Sequence, residues 1–137
     1  MLSAHLKPET HLSLQSYKDV LKLARRWKMS TERPSAVFTL NNVSTRYMLE
    51  ALRAVNLPIP QKIALVGFDD LELGKLLSPS LTVVRQPAVG LGTQAARTLF
   101  ERLMTVGKQE PEFKIKHVLP VEFVIRNSCG CTGVSAV

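Results

Sequence analysis

Apolar positions recur along this chain with two different spacings, and the change from one to the other marks its elements. Between Gln15 and Trp27 they fall at Tyr17, Val20, Leu21, Ala24 and Trp27, the three-to-four spacing of an amphipathic helix. Ser13 is placed to cap that helix, and Glu32-Arg33-Pro34 closes it. Ala36 to Leu40 predicts a strand. Met48, Ala51, Leu52 and Val55 make a second helical stripe from about Val43 to Val55, with Asn42 or Ser44 as its cap and Pro58 and Pro60 as its stop. Ile63 to Gly67 is a continuous apolar run, the mark of a strand buried on both faces as in a parallel sheet. Leu71 to Leu77 predicts a short helical turn ended by Ser78-Pro79-Ser80, and Thr82 to Arg85 a third strand cut off by Pro87. Gly90 to Met104 predicts a helix with Leu91, Ala95, Ala96, Leu99 and Leu103 facing inward. Gly107 and then Pro111 stop it in the expected order. Lys114 to Val118 and Val121 to Ile125 predict two short strands around Pro120, and the tail is expected to fray from Asn127.

Helices alternating with strands predict an α/β fold built on a parallel sheet. Only three strands alternate with helices, against the five or six of a doubly wound sheet, so the architecture reads as incomplete. The chemistry of such sheets sits outside the carboxyl ends of the strands. Two of those ends carry short polar side chains here. Ala36 to Leu40 runs into Asn41-Asn42, and Ile63 to Gly67 runs through Phe68 into Asp69-Asp70. Together they form a candidate hydrogen-bonding site. Phe68 alternates to the other side of its strand and is assigned to packing.

Composition narrows the possibilities. The 137 residues, 45% hydrophobic and 21% charged, suit one ordinary globular domain. No run of about 18 apolar residues is present, and Met1 to Thr10 lacks the apolar core of a secretory signal, so no membrane partner and a cytoplasmic location are expected. The formal charge of +7 raises the question of nucleic acid. The basic residues are scattered from Lys18 and Arg25 through Arg53, Lys75 and Arg102 to Lys116, with no aromatic interleaving and no recognition helix. A solvated helix face explains them better than direct DNA contact. Cys129-Gly130-Cys131 has neither a zinc spacing nor the Cys-x-x-Cys of a redox motif, and a disulfide between residues so close is expected to be strained. A reduced tail is therefore expected, with no cofactor. No Ser-His-Asp set, phosphate loop or metal spacing appears, and adjacent Asp69 and Asp70 point to different sides. An enzyme is not expected.

Several of these segments, in their order and spacing, resemble the lactose-repressor (LacI/GalR) family of bacterial transcription regulators. Ala36-Val37-Phe38-Thr39-Leu40-Asn41-Asn42 is similar to that family's AVF-ANN element, and Leu52-Arg53-Ala54 through Leu57-Pro58-Ile59-Pro60 to its LRALGLRVP helix end. Ile63 to Asp70, followed by Leu77-Ser78-Pro79 and Leu81 to Pro87, is similar to IALVGFDD … SPPLTTVRQP, and Leu119 to Ser128 to the closing strand. The similarity runs from about Thr10 to Cys131.

The resemblance implies a periplasmic-binding-protein-like fold of two lobes hinged around a small-molecule effector, a sugar or similar metabolite. This chain then corresponds to the carboxyl-terminal half of that sensor, either as a fragment or as a truncated relative. Residues of about 10–80 and 112–128 are assigned to one lobe, and 81–108 to the other. DNA would be reached only through a helix-turn-helix that has no counterpart in these residues. The resemblance places effector contacts at Asp69 and Asn41. A carboxylate accepts charge-assisted bonds from adjacent hydroxyls, and an amide both donates and accepts. Either residue also serves as a helix or turn cap, and Asp70 and Asn42 are assigned structural roles. His11 matches a position where the family often carries an aromatic that stacks on the effector. A homodimer is expected through Arg46, Tyr47, Leu76 and Leu77, with Arg46 standing where an apolar residue is common. A solute-binding module of a transport or signalling protein is the alternative on the same fold.

Overall fold

Strands β1 (Ala36–Phe38), β2 (Ala64–Phe68) and β3 (Thr82–Arg85) lie side by side in parallel, and β4 (Glu122–Val124) pairs antiparallel with β3, in the order β1-β2-β3-β4. The structure is a computed structural model that describes residues 9–11, 16–104 and 116–131. Helices α1 (Tyr17–Met29), α2 (Asn42–Ala54) and α3 (Ala88–Met104) alternate with the strands, and short 3-10 turns occupy Glu72–Leu76 and Asn127–Cys129. This is the parallel-dominated α/β fold that the alternating pattern predicts.

The helix ends explain why the elements start where they do. Ser16 caps α1, its hydroxyl accepting the Asp19 amide at 3.3 Å and donating to the Asp19 carboxylate at 2.6 Å; Ser13, the expected cap, lies outside the described residues. Asn41 caps α2 through a reciprocal pair: its Oδ1 accepts the Ser44 amide at 2.8 Å, and Ser44 Oγ accepts the Asn41 amide at 3.2 Å. The cap is thus Asn41 with Ser44, one residue before the expected Asn42. The Asn41–Ser44 pair satisfies two backbone donors that the helix start would otherwise leave open, and Ser16 satisfies one.

The ladder register decides which side chains share a face. Val37 pairs with Leu65, Gly67 with Val83, and Val83 with Val124, so these five point one way. Helices α1 and α2 cover that side. Val20, Leu23, Ala24 and Trp27 of α1 and Met48, Ala51 and Leu52 of α2 join Leu65 and Val83 in one buried cluster, with Val37 and Val124 packed at its margin. Gly67 sits where a Cβ would come within 3.3 Å of the Thr45 side chain. The first turn of α2 therefore rests directly on β2, an approach that any larger residue would push apart. On the opposite side Phe38, Phe68, Val84 and Phe123 share a face, and the rings of Phe38 and Phe68 meet edge to face at 6.3 Å. Phe38 and Phe123 are exposed and Phe68 half-buried, so this face is only partly covered among the described residues.

Four expectations change. First, β3 belongs to the same sheet as β1 and β2, and Leu81 and Val83 are fully buried in its core. A lobe boundary at residue 81 does not hold for Thr82–Arg85, because their backbone is spent on pairing with β2. Second, α3 buries none of its residues. Leu91, Leu99 and Leu103, expected to face inward, are 40%, 57% and 57% exposed, since among the described residues the stripe meets only the short segment around His117 and Leu119. Third, Lys116–Val118 carries no strand; Lys114, Gly107 and Pro111 lie outside the described residues. Fourth, the tail does not fray at Asn127. Ser128 is buried, its Oγ accepting the Thr82 amide at 2.8 Å and donating to the Leu65 carbonyl at 2.7 Å. Its hydroxyl thus bridges β2 and β3 at the point where β3 begins.

Replacing Ser128 with Ala leaves the Thr82 amide and the Leu65 carbonyl buried without partners. Each loss of this kind costs about 1–3 kcal/mol, so urea unfolding of Ser128→Ala is expected to show a loss of about 2 kcal/mol or more with an unchanged m-value.

Candidate functional site

The register that aligns the strands also aligns the residues just beyond their ends. Phe38 and Val66 are paired residues of β1 and β2, and the Thr39 amide continues the ladder to the Val66 carbonyl at 3.0 Å. Asn41 and Asp69 each lie three residues beyond that pair, just past the carboxyl ends of adjacent parallel strands. Phe68 pairs with Val84, which places Gln86 at the matching end of β3. Gln86 Nε2 donates to Asp69 Oδ1 at 2.6 Å. Carboxyl ends of three neighbouring parallel strands thus carry Asn41, Asp69 and Gln86. This is the crevice side of an open α/β sheet.

Asp69 holds an unusual backbone conformation. Its φ is +72°, a left-handed region that non-glycine residues visit rarely, Asp and Asn more than others. Two groups fix it there. The Asp69 amide donates to the Val84 carbonyl at 2.9 Å, and the following residue, Asp70, is gripped by two guanidinium groups. Arg126 Nη1 and Nη2 reach Asp70 Oδ1 and Oδ2, both at 2.8 Å, and Arg85 Nε reaches Oδ2 at 3.1 Å. Arg126 also donates to the Leu81 carbonyl at 2.7 Å, and Arg85 pairs with Glu122 at 2.9 Å. Asp70 and Arg126 side chains are only 15% and 13% exposed, so the pair is largely shielded from water. The left-handed turn sends the two adjacent carboxylates apart: Asp70 goes down into the arginine clamp, and Asp69 stays at the rim.

Hydrogen bonds from Arg126, against the cost of burial and helped by Arg85, hold the Asp70 carboxyl at a pKa of about 2, below its ordinary 3.8. Asp70 is thus the structural member of its pair, as the sequence pattern suggests. Asn42 lies in the first turn of α2, and its Oδ1 is enclosed without a hydrogen-bond partner. Asn41 keeps its Nδ2 available, because capping uses only Oδ1. Beneath it a buried hydroxyl relay, Thr39 Oγ1 to Thr45 Oγ1 at 2.7 Å and Thr45 Oγ1 to the Asn41 carbonyl at 2.8 Å, ties the end of β1 to α2 and sets the position of the asparagine.

His11 is not brought to this rim. Its ring stands edge-on to Trp27 at 6.2 Å, and its Nε2 lies 3.2 Å from a Glu9 carboxylate oxygen. Trp27 is in the last turn of α1, the end that leads into β1, whereas Asn41 and Asp69 stand beyond the far ends of β1 and β2. Of the four residues expected at a dimer contact, Tyr47 is partly used within the chain. Its ring meets Tyr17 at 6.1 Å and lies under the Arg46 guanidinium at 5.0 Å. Arg46 also lies 3.6 Å from Glu50. Leu76 and Leu77 are exposed at the end of the 3-10 turn. Among the described residues no group of three or more His, Cys, Asp or Glu is placed to hold a metal ion.

Gln86, Arg85 and Arg126 were not singled out as site residues by pattern. Gln86 carries a usable signal, a polar side chain at a strand end just before Pro87. The Arg126–Asp70 pair spans 56 residues, and nothing local announces it.

The Asp70 shift fixes a pH dependence. A carboxylate whose pKa is lower in the folded state stabilises the fold above its unfolded pKa of about 3.9, and that contribution disappears as pH falls toward the folded value. From 3.8 to about 2 the linkage is worth about 2 kcal/mol. Unfolding midpoints are expected to drop between about pH 4.5 and 2 in the parent chain. Asp70→Asn, less stable at pH 7, is expected to show a flatter profile over that window. Parallel profiles for the two proteins would show that the clamp contributes nothing.

Comparison with known proteins agrees with the fold. The model of the periplasmic binding protein-like domain matches residues 1–129. The ribose operon repressor of Escherichia coli K12 is 36% identical over 87 residues, which is 64% of this chain and 26% of that protein. The transcriptional repressor PurR of Histophilus somni is 36% identical over 95 residues, 69% of this chain and 27% of that protein. The chain spans about a quarter of the length of these curated relatives. A LacI family transcriptional regulator from Enterococcus faecium, solved with bound ribose, superposes with a TM-score of 0.65 at 26% identity, over 83% of this chain and 40% of that one. Family model, repressor relatives and fold converge: this chain belongs to the periplasmic binding protein-like domain family, in the form carried by LacI-family transcriptional regulators.

Proposed function

We propose that this chain is the effector-sensing part of a LacI-type regulator, and that it holds a sugar or similar polyol at Asn41, Asp69 and Gln86. What supports this is the placement of three polar side chains just beyond the ends of neighbouring parallel strands, with Asp69 already oriented by the Gln86 amide at 2.6 Å. A carboxylate with one oxygen committed to Gln86 keeps acceptor capacity for hydroxyl groups, and the Asn41 amide supplies a donor beside it. Adjacent hydroxyls of a sugar ring match that set. Ribose in the names of a repressor relative and of a sugar-bound structural neighbour supports a small hydroxyl-rich metabolite as the signal. The work is binding coupled to a second site, with no catalytic step. In such regulators the free energy passed between sites is typically about 1–3 kcal/mol. DNA is reached only through a domain outside this chain. The site works in the cytoplasm, where a DNA-bound regulator must meet its effector.

The second lobe is proposed to receive α3. Val89, Leu99, Phe100 and Met104 are exposed on it, a run of apolar surface that single domains seldom leave in water. A homodimer is proposed through the surface that includes Leu76, Leu77 and Arg46. Tyr47 lends it a rigid floor through its contact with Tyr17.

The test uses D-ribose and a panel of other pentoses and hexoses with the parent chain and Asp69→Asn. Asn tolerates a positive φ as Asp does, so the fold is expected to be kept, with a melting temperature within a few degrees. Loss of a charged acceptor costs about 1.5–3 kcal/mol, so calorimetric affinity for the preferred sugar is expected to fall roughly ten- to a hundred-fold. Equal affinity in the two proteins would contradict the assignment of Asp69.

A further inference from the structure

The Cys129-Gly130-Cys131 tripeptide is better organised than its spacing suggests. Residues Asn127–Cys129 form a 3-10 turn that ends on Gly130 at φ +72° and ψ +10°, with the Gly130 amide returning to the Asn127 carbonyl at 3.2 Å. A helical-type step at one residue brings the flanking Cα atoms to about 5.5 Å, inside the roughly 4.4–6.8 Å window of disulfides. An extended tripeptide would hold them farther apart. The Cys131 amide donates to Cys129 Sγ at 3.3 Å, so the sulfur of Cys129 already lies on the side of Cys131. Two constraints keep Gly130 as it is. Its φ lies in the left-handed region, and a Cβ would stand 3.3 Å from Pro60 Cβ. The turn itself is pinned by the buried Ser128 hydroxyl between β2 and β3.

We propose that Cys129 and Cys131 form a thiol-modification site that closes to an intrachain disulfide by exchange with a low-molecular-weight disulfide of the glutathione class. Both thiols are free, with Cys131 exposed and Cys129 half-buried. Burial, which disfavours the thiolate of Cys129, is outweighed by hydrogen bonds from Cys131 and Thr82, and its pKa lies below the ordinary thiol value. The hydrogen bond to Cys129 pushes the Cys131 thiol up. With its Sγ already turned toward the Cys131 backbone, Cys129 is the attacking group. Its thiolate bonds to one sulfur of glutathione disulfide, breaking that S–S bond and releasing one glutathione. Cys131 then gives up its proton and attacks the Cys129 sulfur, breaking the mixed disulfide and releasing the second glutathione. The protein loses two electrons and two protons, and glutathione disulfide gains them as two thiols. Closure also removes the Cys129 thiol as a donor to the Arg126 carbonyl, now at 3.3 Å. That carbonyl belongs to the residue whose guanidinium clamps Asp70.

The test equilibrates the full chain in glutathione buffers of rising disulfide fraction, blocks remaining thiols with an alkylating agent, and reads intact mass and non-reducing gels. The expected product is a monomeric chain that takes up no alkyl group and carries no glutathione, the two thiols disappearing together. Cys129→Ser and Cys131→Ser are each expected to stop at a single glutathione adduct. Gly130→Ala, which cannot adopt the left-handed step cheaply, is expected to need roughly tenfold more oxidising buffer for the same extent of closure. Persistent adducts on the parent chain, disulfide-linked dimers, thiols that remain alkylatable throughout, or a Gly130→Ala chain that closes as readily as the parent would each overturn the proposal.

Discussion

Parallel pairing of β1 with β2 and of β2 with β3 is the constraint on which the rest of this structure depends. A one-residue slip would exchange the faces of a strand, putting Leu65 into water and Phe68 under the helices. It would also move Asp69 out of line with Asn41. The register is held from both sides. On the helix face Gly67 admits the first turn of α2, and Thr45 locks to Thr39 through their hydroxyls. At the start of β3, Ser128 fills the gap between Leu65 and Thr82. The two anchors lie at opposite ends of the strands, which is the arrangement that best resists sliding.

At the carboxyl ends the fold accepts a local cost. A positive φ at Asp69 is unfavourable by about 1–2 kcal/mol, and it persists because Arg126 and Arg85 hold the next residue. The benefit is separation of function within a dipeptide: one carboxylate neutralised and shielded, its neighbour left at the rim with a single amide partner. Arg85 ends β3, and Glu122, its second partner, begins β4. The same charges therefore join the point where the chain leaves the sheet to the point where it returns.

Much of this was legible in the chain and some was not, for physical reasons. Helical periodicity located α1 and α2 and chose their buried residues well, because both pack on a sheet that the described residues contain. The same periodicity in α3 gave the right element and the wrong environment. Leu91, Leu99 and Leu103 form an apolar stripe, but a stripe states only that a partner surface is needed, not that this chain supplies it. The place of Asn41 and Asp69 just beyond the ends of β1 and β2 was visible as two polar dipeptides ending apolar runs. The role of Asn41 as a cap was visible too, and it engages only the Oδ1 of that side chain. Asp70 with Arg126, Ser128 with β2 and β3, and the placement of His11 against Trp27 depend on long-range packing. No window of neighbouring residues encodes them. The tail looked unstructured because a serine and two cysteines carry no periodic signal; one buried hydroxyl orders them.

The central claim is that three strand ends present one gripping surface. Titration of the isotopically labelled chain with D-ribose or its preferred sugar, monitored at amide and side-chain amide resonances, tests it most directly, since even weak binding by one lobe moves those signals. Saturable shifts concentrated at Asn41, Asp69 and Gln86, including both side-chain amides, are the predicted result. Shifts centred elsewhere, such as around Trp27 or along α3, with those three residues unmoved, would contradict it.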